Sequence, residues 1–379
     1  MSRIVALHWG RIEAPLRVPF KTSVRQVSTL VDFPVIIEAN DGRQGLGSAP
    51  PTAKVTGHTE GAILGAYAEI AAALIGRDAD DLAENLRALS HSIVANSSAK
   101  AAVDGALHDL WAKGLGVPLW KALGGSGGSV ETNVTISVNA PDVMAKDSLD
   151  AIGRGFRTLK TKVGLDPEVD LQRLTAIRQA VGKDVTLRID ANQGWNARQA
   201  LRMLDAMQEK DLDIELVEQP VPAWDLKGLA EVARQSPVPV VADESCWTAD
   251  QARRLMDDSP VWPNIKLMKC GGLAEAKRIV ALAEIYGREV MLGSMLEGKI
   301  SVSVAVALAL CRGVATRLDL DGPALVVKDD VVGGPEFNGP KISAWEGPGL
   351  GLAGVTKFQL LGGSGAGNFD ASRFIVREG

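Results

Sequence analysis

The chain has 379 residues, enough for a large core and about two domains. Charged residues make up 23 % and hydrophobic ones 46 %, with a formal net charge of −5. This predicts a soluble globular protein and argues against a nucleic-acid binder, which needs a basic stripe.

No apolar run reaches membrane-spanning length, and the start MSRIVALHWGRIEAPL lacks the charged-then-apolar form of a secretion signal. Cys246, Cys270 and Cys311 are widely spaced and match neither a zinc pattern nor a disulfide framework, which points to a reducing cytoplasm. His8, His58, His91 and His108 are scattered, against a histidine metal site or a Ser-His-Asp triad.

Residues 1–125 read as an α+β capping domain. LVDFPVIIEA is strand-like and runs into Asn40-Asp41-Gly42, a hairpin turn signal. Helical stretches follow at about 59–75, 79–94 and 98–114. The run GGSGG at 124–128 reads as a linker.

From 126 to 325 strand and helix alternate, the pattern of a (β/α) barrel. Asp166-Pro167 and Thr248 with Gln251 mark helix starts, and Gly287 a helix stop. Residues 326–379, glycine- and proline-rich after 335, are expected to return to the capping domain. The final GGSGAGNFDASRFIVREG reads as a loosely held tail.

Counting from NVTISV there are eight strand candidates, the closure number of a TIM-type barrel. Several end in groups that bind metals or move protons. Lys162, Asp190, Glu218, Asp243, Lys266, Ser294 and Asp319 follow one another at steps of 28, 28, 25, 23, 28 and 25 residues. Such a barrel gathers its active site at the carboxyl ends of its strands.

Asp190, Glu218 and Asp243 are expected to converge on one point, where hard oxygen donors without histidine or thiolate favour Mg²⁺, one ion per subunit. An acid alone at a strand end more often caps the next helix; three in register do not. Lys160 and Lys162 are two apart and share a face. Lys162 is expected as a general base, its pKa lowered by the neighbouring Lys160, which would also touch substrate. Lys266 lies four strands further, on the opposite wall. Lys269, followed by Cys-Gly-Gly, is expected in a loop. Opposed lysines across a metal suit inversion of a stereocentre beside a carboxylate, through an enediolate.

The series Lys-Thr-Lys, Asp-Ala-Asn, Val-Glu-Gln-Pro, Ala-Asp-Glu-Ser and Lys-Leu-Met-Lys-x-Gly-Gly resembles the enolase superfamily, specifically its muconate lactonizing enzyme subgroup. DGALHDLWAKGLGVPLWKALGG, from Asp104 to Gly125, is similar to that family's lead-in to the barrel. The resemblance implies a modified barrel with an α+β cap, Asp190, Glu218 and Asp243 as Mg²⁺ ligands, Lys162 and Lys266 as the two acid/base groups, and Asn192 and Glu244 supporting them.

Cycloisomerases, succinylbenzoate synthases, N-acyl amino acid racemases and dipeptide epimerases share these motifs. Asp319 and Asp321 in LDLDGP are two apart at the last strand end, so both can hold a substrate ammonium group. Their strand lies far round the ring from Glu218, so neither is expected on the metal. This pattern is similar to that of dipeptide epimerases. PFKTSVRQV and APPTAKVTGHT resemble their capping loops, which would place Arg25 on a glutamate side chain. Ser48 and His58 depart from the usual GEAPP and GET or GDS, which bears on loop closure. Thr135 and Ser294 complete the candidate substrate-binding set.

The expected function is therefore Mg²⁺-dependent epimerisation of a dipeptide, L-Ala-D/L-Glu first, in a cytoplasmic homo-oligomer with a role in cell-wall peptide recycling. Epimerisation of a hydrophobic or cationic dipeptide, N-acyl amino acid racemisation and a non-catalytic ligand-binding barrel stay open as alternatives.

Overall fold

Strand β1 (Ile4–Lys21), β2 (Gln26–Ala39) and β3 (Gln44–Ala49) form an antiparallel meander. The β2–β3 hairpin turns at Asn40-Asp41-Gly42, where Gly42 takes φ +87° and its N–H donates to Ala39 O at 3.0 Å. The computed structural model describes residues 2–21, 26–311, 317–366, 370 and 374–376. Three helices follow, at Glu60–Leu74, Leu82–Ser92 and Ser97–Gly114.

The third helix lies hard against β3. A Cβ on Gly47 would sit 1.8 Å from Ala102 O, and one on Gly45 2.1 Å from Ala106 O. Glycine on the strand and alanine on the helix are what allow that approach.

Eight parallel strands then form the barrel, in chain order around the sheet. After a short strand, β4 (Ser129–Glu131), they are β5 (Val134–Ile136), β6 (Thr158–Lys162), β7 (Thr186–Asp190) and β8 (Ile214–Glu218). Then come β9 (Val240–Ala242), β10 (Trp262–Lys266), β11 (Met291–Gly293) and β12 (Arg317–Asp319).

β5 and β12 are not joined by a strand ladder. Asn133 N–H to Leu318 O (3.2 Å) and Leu320 N–H to Thr132 Oγ1 (2.8 Å) close the seam. Leu216, Val241 and Met291, all fully buried, fill the interior below the acids. Each is on an inward position of its strand by the two-residue alternation.

The helix starts hold as read. Asp166 caps with Pro167 in the first turn, and Thr248 with Gln251 forms a complete capping box. One start is capped from outside. Gly272 precedes helix Leu273–Ile285 and has no side chain to offer. Asp104, from the third cap helix, accepts from Leu273 N–H at 2.7 Å and Ala274 N–H at 3.3 Å. His108 backs it, with Nδ1 3.1 Å from Asp104 Oδ1. Asp104→Ala should therefore cost about 2 kcal/mol by denaturant titration, since it leaves a buried and a half-buried helix donor without an acceptor.

The C-terminal part supplies β13 (Val331–Gly333), β14 (Glu336–Asn338), β15 (Lys341–Ser343), β16 (Leu352–Val355) and β17 (Gln359–Gly365). β15 pairs with β4 and β14, and β17 pairs with β1 from Ala6↔Gly365 to Arg11↔Gln359. Of the C-terminal run expected to be loosely held, residues 362–366, 370 and 374–376 are described. β17 runs into it, Ile375 bridges to Val355, and Phe374 is buried edge-on against Phe358, centroids 4.9 Å apart.

Candidate active site

The strand ends bring the acids and lysines together. Lys162 pairs in register with Asp190, and Asp190 with Glu218. Asp243 follows β9, and Lys266 ends β10. Around the wall the order is lysine, aspartate, glutamate, aspartate, lysine. Lys162 and Lys266 therefore stand four strands apart in a ring of eight, on facing walls. All five side chains are buried, as is Lys160.

The acids do not simply meet at a point. Among the described residues, no three acid side chains are spaced as a ready metal cluster. The ammonium groups lie between them. Lys160 Nζ is 2.6 Å from Glu218 Oε2, 2.8 Å from Asp319 Oδ2 and 3.2 Å from Asp190 Oδ2. Lys162 Nζ lies 2.6 Å from Asp190 Oδ2, and Lys266 Nζ 2.7 Å from Asp243 Oδ2. Buried carboxylates repel unless countercharge is close, and the lysines supply it.

Lys269 is not a loop residue. It sits in the short helix Leu267–Cys270, buried, 2.6 Å from Asp243 Oδ1, and donates to Cys246 O and Asn264 O. It holds one oxygen of Asp243 while Lys266 takes the other.

The charges shift accordingly. Burial disfavours the Lys160 ammonium, but Asp319, Glu218 and Asp190 outweigh it and raise its pKa well above the usual lysine value. Lys266 is likewise buried yet raised, chiefly by Asp243. Burial opposes the charge of Asp190 too, but Lys162 and Lys160 hold its carboxyl below the usual range. Glu218 goes up, through burial and then Asp190. Glu244 is pushed up to about 7 by burial, then by Asp243 and Asp190.

A cavity of about 250 Å³ opens over this cluster. The barrel lines it with Thr135, Lys160, Lys162, Asn192, Asp243, Glu244, Lys266, Ser294, Asp319 and Asp321, and the cap with Phe20, Lys54 and Val55. Asp319 and Asp321 lie together at its seam edge. Asp319 Oδ1 accepts from Asn133 Nδ2 at 2.7 Å, and Asp321 Oδ2 from Thr135 N–H at 2.7 Å. Their strand stands opposite that of Glu218, yet the single ammonium of Lys160 touches both Glu218 and Asp319 across the interior. The Ser294 hydroxyl is directed to Asp319 O. Asn192 lies 3.4 Å from Glu244 Oε1 through its amide. Arg25 lies outside the described residues.

Several contributors were missed from sequence. Asn264 Nδ2 donates to Glu218 Oε1 at 2.8 Å. It is two residues before Lys266 on the same strand, so the alternation could have found it. Asn133 stands in the same relation to Thr135. Gln219 Oε1 accepts from Asp243 N–H at 2.9 Å, and its amide donates to Ser245 Oγ at 2.8 Å, pinning the end of β9. Gln219 (φ +36°), Asn192 (+42°) and Gln193 (+70°) all take left-handed backbone where the acid-bearing strands end. Strain of this kind persists only where surrounding bonds enforce it, and it clusters at working sites.

For a divalent cation the donor chemistry fits. Asp190, Glu218 and Asp243 offer only carboxylate oxygens, and among the described residues no histidine or cysteine lines the cavity. That set suits Mg²⁺ over a softer metal.

A parallel eight-strand barrel under an antiparallel cap, with acids at successive strand ends, resembles the enolase superfamily. The chain belongs to it: residues 144–354 match the family described as enolase C-terminal domain-like, and residues 8–124 the mandelate racemase / muconate lactonizing enzyme N-terminal domain. It is 48 % identical over 348 residues to an L-Ala-D/L-Glu epimerase of Clostridium acetobutylicum, covering 91 % of this chain and 97 % of that one. It is also similar to the substrate-liganded L-Ala-D/L-Glu epimerase structure from Bacillus subtilis, with TM-score 0.91, 41 % identity and coverage of 93 % and 99 %. A dipeptide epimerase from Enterococcus faecalis, solved with Mg and L-Leu-L-Tyr, has TM-score 0.89, 35 % identity and coverage of 92 % and 99 %.

Proposed function

We propose that this protein is a Mg²⁺-dependent dipeptide epimerase that moves the α-proton of the C-terminal residue between two lysines. The observation that carries the reading is the placement of Lys162 and Lys266 on facing walls of one cavity, with Asp190, Glu218 and Asp243 on the strands between. Asp190, Glu218 and Asp243 would hold the ion, and when bound it would offset the charge that builds on the substrate carboxylate. Lys162 takes the proton from one face of the α-carbon, and Lys266 returns one to the other. The reverse assignment serves the other epimer. Asn264 and Gln219 keep Glu218 and the Asp243 backbone in place.

Asp319 and Asp321 hold the substrate ammonium. Lys160 sets Asp319 in place at 2.8 Å. Lys54 at the cavity edge favours an acidic second residue, in line with the Ala-Glu epimerases above. Phe20, Val55, Trp247 and Leu296 in the same wall favour the rival reading, a hydrophobic one. The test is deuterium uptake from solvent at the α-carbon of Ala-Glu, Ala-Phe, Ala-Lys and an N-succinyl amino acid, with and without Mg²⁺. Turnover of N-succinyl amino acids alone would remove the ammonium role from Asp319 and Asp321. A cytoplasmic site of action and a part in recycling cell-wall peptides extend the same reading.

Binding should depend on pH in a defined direction. Burial, then the Asp319 charge, pushes the Asp321 carboxyl up to about 6. Below that pH it carries a proton and loses its attraction for an ammonium group. The dipeptide Kd, measured by calorimetry, should therefore rise as pH falls through about 6 and level off above it. In Asp321→Asn the Kd should be higher at neutral pH and the dependence flatter. An unaltered profile would contradict the role.

A further inference from the structure

The loop after β3 carries Lys54 and Val55, which stand with Phe20 as the cap's share of the cavity wall. It is wound on itself. Val55 N–H and Thr56 N–H donate to Thr52 O at 3.0 and 2.9 Å, Thr56 Oγ1 donates to the same carbonyl at 3.1 Å, and His58 N–H donates to Thr56 Oγ1 at 3.3 Å. A turn of this sort keeps its shape but needs an outside anchor to keep its place.

His58 is that anchor. Its Nδ1 lies 2.8 Å from Ser98 Oγ, on helix Ser97–Gly114. Ser98 is fully buried, and its hydroxyl is directed at Met268 O at 3.5 Å, the carbonyl that Ser97 Oγ also reaches at 2.7 Å. Met268 is two residues past Lys266 and next to Lys269, which grips Asp243. The Ser98 hydroxyl both donates and accepts, so it bonds the imidazole Nδ1 in either tautomer of His58. The chain of contacts thus runs from a loop over the cavity, through His58 and Ser98, to the wall that bears Lys266.

We propose that His58 is a positioning residue that clasps the loop Thr52–Thr56 against the Lys266 wall, so that Lys54 and Val55 stay over the substrate; this rests on the reaction proposed above. His58 touches neither the lysines nor the acids. Loss of the clasp loosens what covers the substrate and leaves the proton transfer itself in place.

The test separates binding from chemistry. His58→Ala should raise KM for the preferred dipeptide by about tenfold, the worth of one hydrogen bond, and leave kcat within about twofold. His58→Asn places a donor amide near the former Nδ1 and should restore most of the KM. Ser98→Ala should repeat the His58→Ala effect, since Ser97 still holds Met268. The double variant should be no worse than either single one, because both remove the same contact. Unchanged KM in His58→Ala, a fall in kcat as large as the rise in KM, no recovery with Asn, or additive losses would each overturn the clasp.

A substrate-free readout stands beside these. The amides of Val55 and Thr56 should exchange with solvent faster in His58→Ala and Ser98→Ala, with Ile265 on β10 unchanged. Equal exchange in wild type and both variants would overturn the proposal, and Ser98→Ala decides it if His58→Ala does not fold. Should the wild-type protein turn over no dipeptide, the reaction falls while the exchange arm still judges the clasp.

Discussion

Lys162→Ala and Lys266→Ala should each lower epimerisation by on the order of 100- to 10,000-fold, the usual worth of a positioned acid or base. Neither lysine can cover for the other, because they stand four strands apart in the ring and reach different faces of the cavity. The loss should come without unfolding. Asp190 keeps Lys160 at 3.2 Å when Lys162 is cut back, and Asp243 keeps Lys269 at 2.6 Å when Lys266 is. Each variant should still exchange the α-proton of the one epimer that faces its remaining lysine. NMR of deuterium wash-in, starting from each epimer separately, reads this directly. Wild-type rates in both variants, or exchange lost from both epimers in each, would end the two-base reading.

Chelating the divalent cation should stop turnover, by about 1,000-fold or more, and hardly move the melting temperature. The first part follows from the several kcal/mol that a cation contributes to a developing carboxylate charge. The second follows from charge balance within the chain. Asp190, Glu218, Asp243 and Asp319 are answered by Lys160, Lys162, Lys266 and Lys269 at contact distance. The barrel does not need the ion to offset buried acids, whereas the reaction does. Turnover and thermal melts with EDTA, then with Mg²⁺ added back, separate the two. Full activity in EDTA would deny the acids their metal role.

The barrel and its acid–lysine series were legible because both follow from periodicity. Strand, helix and turn repeat at a near-constant interval, and the functional residues fall at the same point of each repeat, as at Lys162, Asp190 and Glu218. Helix starts were legible for a similar reason, since Asp166 and Thr248 cap within three residues of themselves. Asp104 was not, because its cap belongs to a helix 169 residues further along the chain. Nor was the pairing of the glycine-rich β17 with the edge of β1, which joins residues more than 340 positions apart in the chain.

What the amino-acid order determined by itself is the kind of fold and which residues end its strands, since local pattern dictates both. What only the folded barrel decided is which charges touch. Lys160 joins Glu218 to Asp319 across the interior, Lys269 turns inward onto Asp243, and His58 reaches Ser98 from another element. Charge coupling depends on separation in space, and closing the ring brings together side chains that the chain keeps far apart.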